Sequence, residues 1–151
     1  MKNRMLLFLF FGVWALTAQE TEDKAVQKTI ETFFEGFHNQ DSVLIRSTVA
    51  EGIRMQTIGK SKNGSDSVRN QNFNKFIRSI VSIPDTTRFQ ERLLSFNIQI
   101  DGPMANAWTP YEFWVNDEFS HCGVNSFQLF KDKGEWKIIY IIDTRRKEGC
   151  L

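Results

Sequence analysis

The sequence predicts an α+β domain, with helices first and an antiparallel sheet after them. Three observations carry that expectation. Apolar residues recur at helical spacing in the first half, at Val26, Ile30, Phe33, Phe34 and Phe37 and again at Phe73, Phe76, Ile77 and Ile80. From Phe89 onward the period changes to two. Turn pairs, Asp101-Gly102 and Asn116-Asp117, then punctuate the second half. Helices segregated from a strand meander make an α+β architecture rather than an alternating α/β one.

The elements follow in order. Thr21 is placed to cap a first helix, with Glu22 and Asp23 favourable in its first turn. Asn39-Gln40 ends it, and Asp41 can cap a short second helix to about residue 49. Residues 52–59 alternate as a strand, and the polar stretch 60–67 reads as a loop. Its Gly59-Lys60-Ser61 lacks the upstream glycine of a phosphate loop and predicts no phosphate site. A third helix carries the stripe from Phe73 to Ile80 and stops before Pro84. Four strands follow: one long strand from Phe89 to Ile100, then 104–115, 118–130 and 135–144.

The chain has 151 residues, enough for one domain, and 13% of them are aromatic, which argues against global disorder. The formal charge of +1 has no basic excess, so no nucleic-acid partner is expected. At the N-terminus Lys2 and Arg4 precede an apolar run from Met5 to Leu16, followed by Thr17-Ala18-Gln19 and an abrupt polar turn at Glu20. This is the order of a secretory signal, too short to anchor in a hydrocarbon core of ~30 Å. The expected organisation is a signal peptide at 1–18, cleaved after Ala18, and one domain at 19–151, exported to the periplasm or beyond and not held in the membrane. Cys122 and Cys150 would then meet an oxidising compartment. Two readings stay open: a disulfide, or a half-buried Cys122 with a free Cys150. With two cysteines, two histidines and no carboxylate cluster beside either histidine, no metal is expected.

Strand register predicts the faces. A two-residue turn at Asn116-Asp117 sets Val115 opposite Glu118, and so Glu112 opposite His121 and Trp108 opposite Asn125. A four-residue turn at 131–134 sets Phe130 opposite Glu135, Asn125 opposite Tyr140 and Cys122 opposite Asp143. One face then carries Trp108, Glu112, Trp114, Phe119, His121, Asn125, Phe127 and Tyr140, to be covered by the helices. The other carries Tyr111, Val124, Ile139, Ile141, Asp143 and Arg145, a surface for a second copy of the chain. A single bulge would exchange the two.

The order helix–helix–strand–helix and then long strands, with Trp108-Thr109-Pro110-Tyr111-Glu112-Phe113, Ser120-His121-Cys122-Gly123, Trp136-Lys137-Ile138 and Asp143-Thr144-Arg145-Arg146-Lys147, resembles the nuclear transport factor 2-like superfamily. Within it the chain resembles exported bacterial proteins, common in Bacteroidetes, that are designated lumazine-binding or simply nuclear transport factor 2 family proteins. The resemblance implies a cystatin-like cone, three N-terminal helices packed on a strongly curved, mostly antiparallel sheet, and a homodimer formed through the sheet face. It implies little chemistry, because this fold hosts many functions.

Within such a cone, the expected ligand is a small apolar or aromatic molecule held by Trp108, Tyr111, Trp114, Asn125, Tyr140, Asp143 and Arg145, with no cofactor and no established catalysis. Aromatics in a sheet can stack on a flat ring or simply fill a core, and Trp136 falls under the same choice. Arg145 can clamp a carboxylate or phosphate, or form an ion pair with Asp143, which shares its face. The alternative is a cofactor-free isomerase, dehydratase or cyclase, with His121 and Glu112 as an acid–base pair. A module that binds protein through the second sheet face is a third reading. His38 is expected to sit at the helix end as a charge complementing the dipole.

Overall fold

The computed structural model describes residues 7–61 and 63–150, with side chains from Thr21 onward. The expected signal segment therefore lies outside the residues whose side chains are described. Helix α1 spans Leu7–His38, so Thr21 stands inside a helix and does not cap one. No proline or glycine separates Leu16 from Gly36, so nothing in the covalent chain stops the helix at that point. The stripe Val26, Ile30, Phe33, Phe34 and Phe37 is buried throughout. Glu22 ties α1 to the sheet: both carboxylate oxygens accept from Lys131 Nζ at 2.7 Å, and one also accepts from Trp136 Nε1 at 3.0 Å. Trp136 is thus a core residue with its one polar atom bonded.

Helix α2, Ser42–Ser47, is capped as expected by Asp41, whose carboxylate accepts from the backbone N–H of Val43 and Leu44. Helix α3, Phe73–Val81, is capped by Asn72 and buries Ile77 and Ile80. Among the described residues seven strands form one sheet: β1 Val49–Lys60, β2 Asp66–Gln71, β3 Phe89–Leu93, β4 Asn97–Asp101, β5 Met104–Val115, β6 Glu118–Asp132 and β7 Glu135–Thr144. The order is β2-β1-β7-β6-β5-β3, with β4 also on β5, and only the β1–β7 pair is parallel. The helices pack on one face of this mostly antiparallel sheet, burying Ala105, Ala107, Phe127, Leu129, Ile138 and Ile141.

Two elements differ from expectation. β2 falls partly in the expected loop; it is an edge strand exposed along much of its length, so it shows no apolar alternation. The expected long strand 89–100 is two strands, β3 and β4, interrupted at 94–96. Both pair with β5 on the same side, and the break falls opposite Pro110, whose carbonyl accepts from Leu94 N at 2.9 Å but which has no N–H to return.

Register explains the larger corrections. Val115 does face Glu118, but a bulge leaves Ser120 unpaired, so Phe113 faces His121 and Glu112 faces Cys122. The last hairpin has a two-residue turn, Lys133-Gly134, with Asp132 opposite Glu135, and a second bulge leaves Ile139 unpaired. Asn125 consequently faces Asp143 and not Tyr140. Thus β6 keeps its expected inner face from His121 onward, whereas Phe119, before the bulge, is exposed, and β5 and the second half of β7 exchange theirs. β1 is irregular between Val49 and Arg54, where Gly52 takes φ 74°, a conformation that suits glycine.

Candidate functional site

The inner face places Tyr111, Phe113, His121, Asn125, Phe127, Ile141 and Asp143 under the helices. A cavity of about 250 Å³ remains there. Phe33, Phe34 and Phe37 from α1, Phe76 and Ile80 from α3, and Met55, Phe113, Phe127 and Ile141 from the sheet form its apolar walls. Its ionisable side chains are Glu91, His121, Asp143 and Arg145, with Asn125 among them.

Glu91 lies on β3 opposite Phe113 and so shares its inward face. Asn125 Nδ2 donates to Glu91 Oε1 at 2.7 Å. The residue keeps some surface, but its carboxyl group is enclosed by protein. Burial pushes its pKa up to about 7, and the nearby Asp143 charge adds to the rise, against the Asn125 bond and the Arg145 charge. Asn125 sits between Thr109 and Asp143 across the strands and is buried. Asp143 accepts from Arg145 Nε at 2.7 Å and more weakly from Tyr111 O–H at 3.4 Å. The Thr57 hydroxyl, on the strand position paired with Asp143, is buried without a hydrogen-bond partner among the described residues.

Tyr111 is almost wholly buried and supports the site from beneath. Its O–H donates to the Thr144 carbonyl at 2.9 Å, and burial raises its pKa, so it remains a neutral phenol. Its ring lies over Gly123, its cross-strand partner. A Cβ there would stand 1.8 Å from the Thr144 oxygen and 2.8 Å from the Tyr111 ring. The His121 ring packs on Phe113 with centroids 4.9 Å apart, and Nδ1 lies 3.1 Å from Ser120 Oγ. Burial, then the Arg145 charge, lowers its pKa, against the opposing charge of Asp143.

His38 does not act as a charge on the helix dipole. Its Nε2 accepts from the Glu91 backbone N–H at 2.9 Å, which requires an unprotonated Nε2, and burial lowers its pKa accordingly. It therefore pins β3, and with it Glu91, to the end of α1. At the other side of the site Cys122 and Cys150 form a disulfide. It closes a 28-residue separation, worth roughly 3–4 kcal/mol on loop entropy, and joins the chain beside His121 to the segment after Arg145.

Of the expected site residues, Asn125, Asp143, Arg145 and His121 meet at the cavity, and Tyr111 lies beneath it. Glu112 does not: it is on the opposite face, where it accepts from Trp114 Nε1 at 3.0 Å, so no Glu112–His121 pair forms. Trp108, half exposed, and Trp114, stacked under Arg92 at 4.4 Å, are also outside. Tyr140 faces outward and bonds Gln56. Glu91 was not among the expected residues. Its signal is parity: Phe89, Glu91 and Leu93 share one face of β3, so a carboxylate occupies an otherwise apolar inward row.

No protein-family model matches the chain, and no curated protein matches it. Solved structures do resemble it. A nuclear transport factor 2-like protein with a cystatin-like fold from Novosphingobium aromaticivorans superposes with a TM-score of 0.65 at 11% identity, covering 100% of this chain and 95% of its own. A protein of unknown function from Mycobacterium tuberculosis gives 0.69 at 14% identity over 87% and 75%. A proposed dehydratase of the nuclear transport factor 2-like family from Streptomyces avermitilis gives 0.64 at 14% identity over 85% and 98%. The chain has the cystatin-like fold of the nuclear transport factor 2-like proteins.

Proposed function

We propose that this chain is an exported protein that binds a small, mostly apolar or aromatic molecule in the cavity between α1, α3 and the inner sheet face. One observation carries the reading: an aromatic-walled cavity on which Glu91–Asn125 and Asp143–Arg145 converge. Few polar groups on an apolar wall are what orient a ligand in a binding site. At about 250 Å³ the cavity is below the ~300–1,000 Å³ of drug-sized sites, so the ligand is small. Export is supported by the charged–apolar–small order of residues 1–18 together with the Cys122–Cys150 pair, since disulfides persist in oxidising compartments. A homodimer is supported by exposed Trp108, Phe119 and Ile139 on the sheet.

A thermal-shift screen of small aromatic molecules on the purified protein tests the binding reading, repeated on Ser79→Trp. Ser79 lies exposed at the cavity rim, so the larger side chain plugs the mouth without entering the core. Hits that raise Tm in the wild type and not in the plugged variant support the cavity. Hits unaffected by the plug place the ligand elsewhere.

A second reading, a cofactor-free isomerase or dehydratase, is favoured by Glu91: an enclosed carboxylate titrating near 7 suits a general base. The dehydratase proposal for the Streptomyces structure is consistent with it. In this reading the acid–base residues are Glu91 and His121, not Glu112 and His121. Exchange of solvent deuterium into a bound ligand, stopped by Glu91→Gln, would mark catalysis. Binding without exchange leaves a binding protein.

A further inference from the structure

We propose that the ligand carries one protonated amine on an apolar body and seats that amine against the Glu91 carboxylate, a proposal that rests on the cavity reading above. The argument is one of uncompensated charge. Arg145 is the only cationic side chain among the described residues that line the cavity, and its Nε is committed to Asp143 at 2.7 Å. Glu91, by contrast, has only the neutral amide of Asn125 as a hydrogen-bond partner for its carboxylate among the described residues. Ionised, the cavity therefore holds one negative charge more than it neutralises. An enclosed carboxylate with no cation bonded to it must take up a proton or acquire a counter-charge.

The walls favour the second solution when the ligand supplies the charge. Side chains of Phe33, Phe37, Phe76 and Phe113 border the same space, and aromatic rings attract cations placed over them, more strongly when water is excluded. An anionic ligand would add a second negative charge beside Glu91 and Asp143. A neutral ligand would leave Glu91 protonated. The other titratable groups near Glu91 do not substitute for the amine. His38 on α1 accepts a backbone N–H through an unprotonated Nε2, Tyr111 on β5 is a neutral phenol, and burial disfavours the cationic form of His121 on β6. Glu31 and Glu35 on α1, across the outer cleft that Glu91 also borders, only add negative potential.

The test is calorimetric titration of the purified protein with benzylamine, benzyl alcohol and benzoate, at about pH 6 and about pH 8, with Glu91→Gln alongside. Benzylamine stays cationic over this range, as alkyl amines do. It is expected to bind about tenfold more tightly than the alcohol at the higher pH. Its affinity is expected to rise about tenfold between the two, as Glu91 ionises, and Glu91→Gln is expected to remove both effects while the alcohol still binds. Alcohol binding equal to or tighter than amine binding overturns the amine assignment and leaves the cavity reading standing. Tightest binding by benzoate overturns it in favour of Arg145 as the anchor. Failure of all three to bind removes the assignment together with the cavity reading.

Discussion

Asn125 Nδ2 donates to Glu91 Oε1 at 2.7 Å, a bond that runs from the central strand β6 over β5 to the edge strand β3. It joins two residues 34 apart in the chain and sets a carboxylate into an aromatic cavity. The functional reading depends on this contact, and so does the first prediction.

Glu91 titrates near 7 in the folded state against an ordinary carboxylate in the unfolded one. Between those values the native protein binds the extra proton, so stability falls as pH rises from about 4.5 to 7 and is then flat. The drop is on the order of 3 kcal/mol. Urea denaturation across pH should show this slope in the wild type and its loss in Glu91→Gln, with the variant more stable above neutrality. An unchanged slope would place the Glu91 carboxyl in water.

His38 acts in the opposite direction. Its folded pKa is depressed, so its contribution is present above the ordinary histidine value and is lost as pH falls through the folded one. His38→Ala leaves the Glu91 N–H without its acceptor and should cost about 1–3 kcal/mol near neutral pH. His38→Gln, which retains an acceptor, should recover part of that, and both should flatten the acid limb of the stability profile.

Gly123→Ala should be among the most damaging small substitutions in the chain, at about 3 kcal/mol or more, because the new methyl meets the Thr144 carbonyl and the Tyr111 ring. Tyr111→Phe removes the bond to Thr144 and the weaker one to Asp143 and should cost about 1 kcal/mol. Chemical denaturation of both variants checks the ordering, and near-equal losses would contradict the packing described.

Trp108→Glu puts a charge in the middle of the outer face, where Trp108 is 52% exposed. Light scattering should find a dimer for the wild type and a monomer for the variant, with little change in folding. A wild-type monomer at all concentrations would remove the dimer proposal.

Much of the fold was legible because single-element patterns are local. The buried stripe of α1, the Asp41 cap and the Val115–Glu118 turn all follow from residues close in sequence. Faces far from a turn were not legible, because a bulge has no signature among its own residues. Ser120 and Ile139 each add one unpaired position. Those two positions turn Glu112 and Tyr140 outward and bring Tyr111 and Asp143 inward. β2 was invisible for another reason: an edge strand exposed along most of its length has no apolar row to reveal it. Glu91 was missed, although its signal was present: a carboxylate at the parity of Phe89 and Leu93 either breaks a strand or serves a site.

The most direct measurement is the ¹³C-detected titration of the Glu91 carboxyl, assigned by comparison with Glu91→Gln, before and after addition of a ligand that raises Tm. The account predicts a midpoint near 7 in the unliganded protein, displaced when the cavity fills. A midpoint in the ordinary carboxylate range that ignores the ligand would contradict a site built on Glu91.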